Sequence, residues 1–158
     1  QHIAGLDVAF EDGGKITRGA VVVLRMKDLA PVASAVARRP IVFPYIPGLL
    51  SFREVPVLMD ALAMLANAPD ILMCDGHCIV HPWRFGIACH PGLLTDLPAI
   101  GIGKSRPTGG HGEPGPDKGD WTPLVTRRRK VVGVRRASVA SSAPVPGSSR
   151  STSRPATG

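Results

Sequence analysis

Three acids stand out by where they fall. Asp7 interrupts the alternating run Ile3-Ala4-Gly5-Leu6-Asp7-Val8-Ala9-Phe10. Asp75 ends the apolar run Ile71-Leu72-Met73-Cys74 and precedes Gly76-His77. Glu54 follows Leu50-Ser51-Phe52-Arg53 in the first turns of a segment with helical spacing. Open α/β sheets present functional groups at the carboxyl ends of strands. A helix start favours negative charge, and a carboxylate buried within a strand needs a partner or a metal. Each acid alone has an ordinary reading: Asp7 as half of a salt bridge, Asp75 as a turn or helix-cap residue, Glu54 as a solvated charge. Together they match Mg²⁺, which prefers oxygen ligands, keeps several waters and needs only two or three carboxylates.

A second constellation lies between the acids. Phe43-Pro44-Tyr45-Ile46-Pro47-Gly48 is a stiff turn, because proline fixes φ at positions 44 and 47 and Gly48 tolerates angles other residues avoid. Tyr45 therefore rides on a rigid protrusion. An aromatic wedge beside a carboxylate cluster suggests a metal-dependent nuclease that opens a duplex. His81-Pro82, followed by Trp83-Arg84-Phe85-Gly86, reads as an active-site loop. Lys104, after Gly101-Ile102-Gly103, reads as a phosphate-contacting charge or as a plain surface lysine. Pro98 occupies the place of the first glycine of a nucleotide-binding loop, which argues against an NTP site. His77, Cys78 and His81, with Cys74, Cys89 and His90 nearby, match no usual structural zinc spacing.

The elements that must position these groups follow from hydrophobic periodicity. Residues 3–10 and 18–26 read as strands and 29–37 as a weaker third, joined by short links as an antiparallel meander. Residues 49–66 read as a helix, with Pro56 expected to kink it or end a first piece early. Residues 70–75 read as a short buried strand, 84–95 as a short helix bent near Pro91-Gly92, and 99–103 as another strand. Residues 104–120 read as loop, and 121–124 with 130–134 as one late strand. Three antiparallel strands, then helix, strand, helix, strand, is the order of an α/β ribonuclease-H-like mixed sheet with flanking helices.

At 158 residues the chain supports one domain, and 44% hydrophobic content fits a globular core. The longest apolar runs are too short and interrupted to cross a membrane, and no leader pattern opens the chain. The formal charge of +7 is uneven: residues 1–125 hold 11 Lys and Arg against 12 Asp and Glu, whereas residues 126–158 hold 8 and no acid. That basic stretch favours nucleic-acid contact or is simply solvated. Its Ser, Arg, Pro and Ala composition cannot bury enough apolar surface to offset ordering entropy, so 136–158 is expected to be a disordered tail. Three cysteines give an odd count without secreted-scaffold density, which points to a reducing, cytoplasmic setting.

From residue 3 to about 125 the chain resembles the endonuclease V family of deoxyinosine-specific repair nucleases. The resemblance is carried by the run around Asp7, the wedge at 44–48, Leu50-Ser51-Phe52-Arg53-Glu54, Asp75-Gly76-His77, His81-Pro82, Phe85-Gly86, Gly101-Ile102-Gly103-Lys104-Ser105 and Gly119-Asp120-Trp121. It implies that Asp7 and Asp75 hold Mg²⁺, with Mn²⁺ as a substitute and Glu54 completing the cluster. It implies that Pro44, Tyr45, Ile46 and Pro47 form a DNA wedge. A flipped base would sit among Gly48, Leu50, Gly76, Gly86 and Ile87, and His81 and Lys104 would attend the phosphate. The implied reaction cuts the second phosphodiester 3′ to deoxyinosine, leaving 3′-hydroxyl and 5′-phosphate ends, by a cytoplasmic monomer acting on DNA. The alternatives are an impaired member that only binds nucleic acid, or a ribonuclease for inosine in RNA. The family continues with further strands, a long helix and a Ser-x-Gly-His segment that residues 126–158 lack. The expectation is therefore a nuclease domain over 1–135 missing the C-terminal part of the fold, and a truncated or out-of-frame tail.

Overall fold

Alternation of side chains decides the architecture. The computed structural model describes residues 1–104, 110, 112–126 and 128–136. The first three strands are β1 (His2–Glu11), β2 (Ile16–Arg25) and β3 (Pro31–Pro40). Then come α1 (Leu50–Ala63), β4 (Ile71–Asp75), α2 (Cys89–Thr95) and β5 (Ala99–Ile102). The main sheet has the order β3-β2-β1-β4-β5. Its first two pairings are antiparallel, and β1–β4 and β4–β5 are parallel. This is the mixed sheet expected from the element order. Ala4 and Leu6 of β1, Val21 and Val23 of β2, and Leu72 and Cys74 of β4 turn to one face. There they pack with Leu58 and Ala61 of α1 and with Ala88. The intervening residues face away, and Val22, Val32 and Val36 are exposed.

Three expectations change in detail. The third strand is ten residues long, as long as its neighbours, because it pairs with β2 along most of its length. Pro56 lies inside α1 without ending it. The lost backbone bond is outweighed by burial on both sides of it, since Val55, Val57 and Leu58 are each about 1% exposed. The second helix is Cys89–Thr95, and it does not begin at the expected 84, where Arg84 takes a left-handed φ of 59° that no helix accommodates. Pro91 then falls in its first turn, where a backbone donor would have no partner inside the helix. It introduces no bend.

The expected single late strand is two: β6 (Trp121–Val125) and β7 (Val131–Arg136) form an antiparallel hairpin outside the main sheet. Leu124 and Val132 are its buried pair. Arg136 pairs with Trp121 inside this hairpin, so position 136 belongs to a strand and not to the tail. The rest of the expected tail, 137–158, lies outside the described residues, as do Ser105 and part of the loop expected over 104–120.

Close approach fixes how deep α1 lies on the sheet. It rests over β2 and β3. A side-chain carbon added at Gly19 of β2 would come within 2.9 Å of the Val57 carbonyl oxygen. The lack of a side chain there lets helix backbone meet strand backbone. We predict that Leu72→Ala, which opens a cavity in a layer with no exposure, destabilises the fold by about 3 kcal/mol. Urea unfolding should show this as a lower midpoint with an unchanged slope.

Candidate active site

β1 and β4 bring the first two acids together. They are parallel, and the last paired residues are Leu6 and Cys74. The next residue on each strand is Asp7 and Asp75, so two carboxylates from distant parts of the chain stand side by side. α1 supplies the third. Asp7, Glu54 and Asp75 line one pocket of about 210 Å³ with Leu6, Leu50, Leu58 and Ile87. Asp7 does not need the buried partner expected of it: it is exposed, and its Oδ1 accepts the Val8 backbone N–H at 2.9 Å.

The charges act on one another. Burial, then the negative charges of Asp7 and Asp75, push the Glu54 carboxyl up to about 7, against a smaller opposite effect of Arg53. Lys104 Nζ donates to Asp75 Oδ2. That bond, reinforced by the charges of Asp75 and Asp7, raises the lysine's pKa. Among the described residues no three His, Cys, Asp or Glu side chains converge as a ready-made metal cage. The acids are nevertheless an all-oxygen set in one pocket, where burial first and the charges of Asp7 and Asp75 after it keep a proton on Glu54 near neutrality. A divalent cation fits that set, because it would relieve the same repulsion.

The wedge turn stands where a duplex could meet it. Leu49 N–H donates to the Ile46 carbonyl at 2.9 Å and closes the turn. Tyr45 is 65% exposed, and Pro44, Ile46 and Pro47 are exposed beside it. Residue types alone did not reveal what holds its base. Phe43 stacks on Phe52 of α1, and Phe52 and Phe85 both contact the His90 ring. Gly48 has φ 86°, and any side chain there would strike the Trp83 ring at 2.9 Å. Trp83 thus props the wedge turn against the loop after β4. The only available signal was an aromatic residue two positions after His81.

The residues expected around a flipped base divide. Leu50 and Ile87 line the acid pocket, and Gly76 lies against Ile87. Gly86 is buried for a different reason: a side chain there would collide with the His77 and Cys78 carbonyls. His81 is not among the residues lining the acid pocket. Its Nδ1 accepts the Trp83 backbone N–H at 3.3 Å, and its ring meets Trp83 edge-on. Arg53, which carried no assigned role, lies over the Phe10 ring at 4.8 Å and ties the start of α1 to β1.

A profile of the endonuclease V family matches residues 1–149, further than the motif resemblance reached. The chain belongs to the endonuclease V family. The Alkalilimnicola ehrlichii endonuclease V is 50% identical over 135 residues, covering 85% of this chain and 60% of that one. The crystal structure of the Streptomyces avermitilis endonuclease V superposes with a TM-score of 0.79 at 40% identity, over 86% of this chain and 59% of its own. A Ciona intestinalis endonuclease V, solved in complex with DNA containing an inosine followed by a ribo-adenosine, superposes with a TM-score of 0.61 at 26% identity, over 66% of this chain and 46% of its own. This chain thus spans 46–60% of the length of these relatives. The shared fold is the ribonuclease-H-like mixed sheet.

Glu54 also sets a pH dependence. The unfolded chain releases this proton near pH 4.5, the folded chain only near 7. Between those values the folded state binds more protons, so stability falls as pH rises through the window and then levels off. We predict that Glu54→Gln flattens this decline and makes the metal-free protein more stable than the parent at pH 8. Thermal unfolding from pH 4 to 8, with and without Mg²⁺, measures it.

Proposed function

We propose that this chain is a divalent-metal endonuclease acting on DNA beside deoxyinosine. The observation that carries the proposal is the meeting of Asp7, Glu54 and Asp75 in one pocket, where burial and then the other two acids raise Glu54. The Ciona intestinalis relative's complex with inosine-containing DNA supports the substrate class. Asp7, Glu54 and Asp75 would hold Mg²⁺, or Mn²⁺ in its place. The ion would supply an activated water and neutralise charge developing on the scissile phosphate.

The chain's own residues do the rest. Glu54, protonated near neutrality in the metal-free protein, would give up that proton to serve as a ligand. Lys104 exchanges Asp75 for a phosphate oxygen, since an exposed ammonium on a flexible stem serves either anion. Tyr45 enters the stack where the inosine leaves it. Base eversion costs a few kcal/mol, and least at a weakly paired deaminated base, so the wedge favours the lesion. Leu50 and Ile87 form the apolar wall beside the acids, with the Gly76 backbone next to them. Cleavage falls at the second phosphodiester 3′ to the lesion and leaves 3′-hydroxyl and 5′-phosphate ends, in a cytoplasmic monomer.

A second reading is favoured by one observation: the DNA bound by the Ciona intestinalis relative carries a ribonucleotide after the inosine. RNA containing inosine is therefore the competing substrate. The test is cleavage of matched strands carrying deoxyinosine in DNA, inosine in RNA, or no lesion, with and without Mg²⁺.

We expect metal-dependent cutting of the deoxyinosine duplex, with ends read on a sequencing gel. Asp75→Asn should lower the rate by roughly a thousandfold, the loss of several kcal/mol of charge stabilisation. No cutting by the parent, or equal cutting by Asp75→Asn, refutes the proposal. Tyr45→Ala should weaken affinity for the lesion duplex about tenfold, one stacking contact. It should leave cleavage of a single strand unchanged, because no duplex has to be opened. Equal preference for lesion over plain duplex in that variant would remove the wedge role.

A further inference from the structure

Two sulfurs face each other in the loop that leads from the acids to α2. Cys78 Sγ lies 3.0 Å from Cys89 Sγ, and either thiol can be the donor. The backbone creates this meeting. Gly86 N–H donates to the Cys78 carbonyl at 3.1 Å, and Ala88 N–H donates to the His77 carbonyl at 3.2 Å. These bonds fold residues 86–89 back along 77–78. Gly86 permits the approach, since any side chain there would overlap the two carbonyls. Both cysteines are only half-buried, so a small reagent can reach them.

We propose that Cys78 and Cys89 form a reversible dithiol–disulfide pair, oxidised by a low-molecular-weight disulfide such as oxidised glutathione, whose bond clamps the loop of residues 79–88 beside the acid pocket. Bonded sulfurs stand about 2.0 Å apart, so closure requires an approach of about 1 Å. The chemistry balances by two exchanges. The Cys89 thiolate attacks one sulfur of the glutathione disulfide, forming a mixed disulfide and expelling one glutathione thiolate. Cys78 gives up its proton and attacks Cys89 Sγ, expelling the second. Two protein thiols are oxidised and one disulfide is reduced to two thiols.

Burial, and then its bond to Cys89, hold the Cys78 thiol up to about 11. It is therefore slow toward outside reagents, and its kinetic advantage lies with the neighbouring sulfur. Cys74 serves as an internal control. It is 1% exposed on β4, and its thiol is pushed up to about 12 by burial first and by the two other cysteines after that.

The clamp matters for the site because Ile87, inside this loop, lines the pocket of the three acids. That consequence rests on the proposed nuclease function, whereas the cross-link is read without it. The full chain is equilibrated in glutathione buffers of graded ratio, quenched with acid, then alkylated in denaturant, which also opens buried Cys74, and mapped by peptide mass. The expected result is a fall from three alkylatable thiols to one, with the peptides holding Cys78 and Cys89 joined, reversed by dithiothreitol. Cys74→Ser should keep the bridge and Cys89→Ser should lose it. Three free thiols across the series, glutathione resting on Cys89 without closure, or chain-to-chain dimers would each overturn the proposal. Trypsin cleavage at exposed Arg84 should slow by at least about fivefold on oxidation. Equal cleavage rates would overturn the clamp.

Discussion

The repulsion among three carboxylates is the constraint around which this molecule is arranged. Two parallel strands whose pairing stops at Leu6 and Cys74 place Asp7 and Asp75 together, and a helix pressed on the same sheet adds Glu54. Nothing in their own chemistry favours this gathering. Burial of Leu6, Leu58, Leu72 and Cys74 holds it; burial of Glu54, and the charges of Asp7 and Asp75 after that, keep a proton on it near neutrality, and a lysine is drawn to Asp75. Such a site is poised for a small, doubly charged cation. Favourable packing energy is converted into an unfavourable concentration of charge, which a ligand then relieves.

The wedge is organised by the same logic of support from outside. Tyr45 itself touches little and stands out into solvent. Its rigidity comes from the prolines within the turn and from neighbours that hold the turn's base. Phe43 on Phe52, Phe52 on His90, and Gly48 against Trp83 tie it to α1 and to the loop after β4. The protruding aromatic and the acid pocket therefore share a frame: α1 carries Phe52 and Glu54 two residues apart, so wedge and pocket hang from one helix.

Much of this was legible in the sequence where periodicity and chemistry coincide. Alternation in β1 and β2, the short run ending at Asp75 and the helical spacing after Gly48 located the sheet, the helix and all three acids. What escaped depended on tertiary context. The continuity of α1 through Pro56 is a balance between one missing backbone bond and the burial of Val55, Val57 and Leu58, and local propensity sees only the first. The third strand looked weak because its core-facing residues, Ala35 and Ala37, are small while Val32 and Val36 face away, and small residues suffice beneath a closely seated helix. The exposure of Asp7 could not be told from apolar neighbours, since strand neighbours point the other way. The Lys104–Asp75 bond and the Trp83–Gly48 contact join residues 29 and 35 positions apart, and no spacing rule encodes such pairs.

The seat of α1 on Gly19 has a consequence for how the chemistry could be tuned. Glu54 precedes Val57 by three residues, and a side chain at Gly19 would have to displace the Val57 backbone and with it the turn of α1 that carries Glu54. A position with no ionisable group therefore limits how closely the helix bearing Glu54 seats on the strand that pairs with that of Asp7.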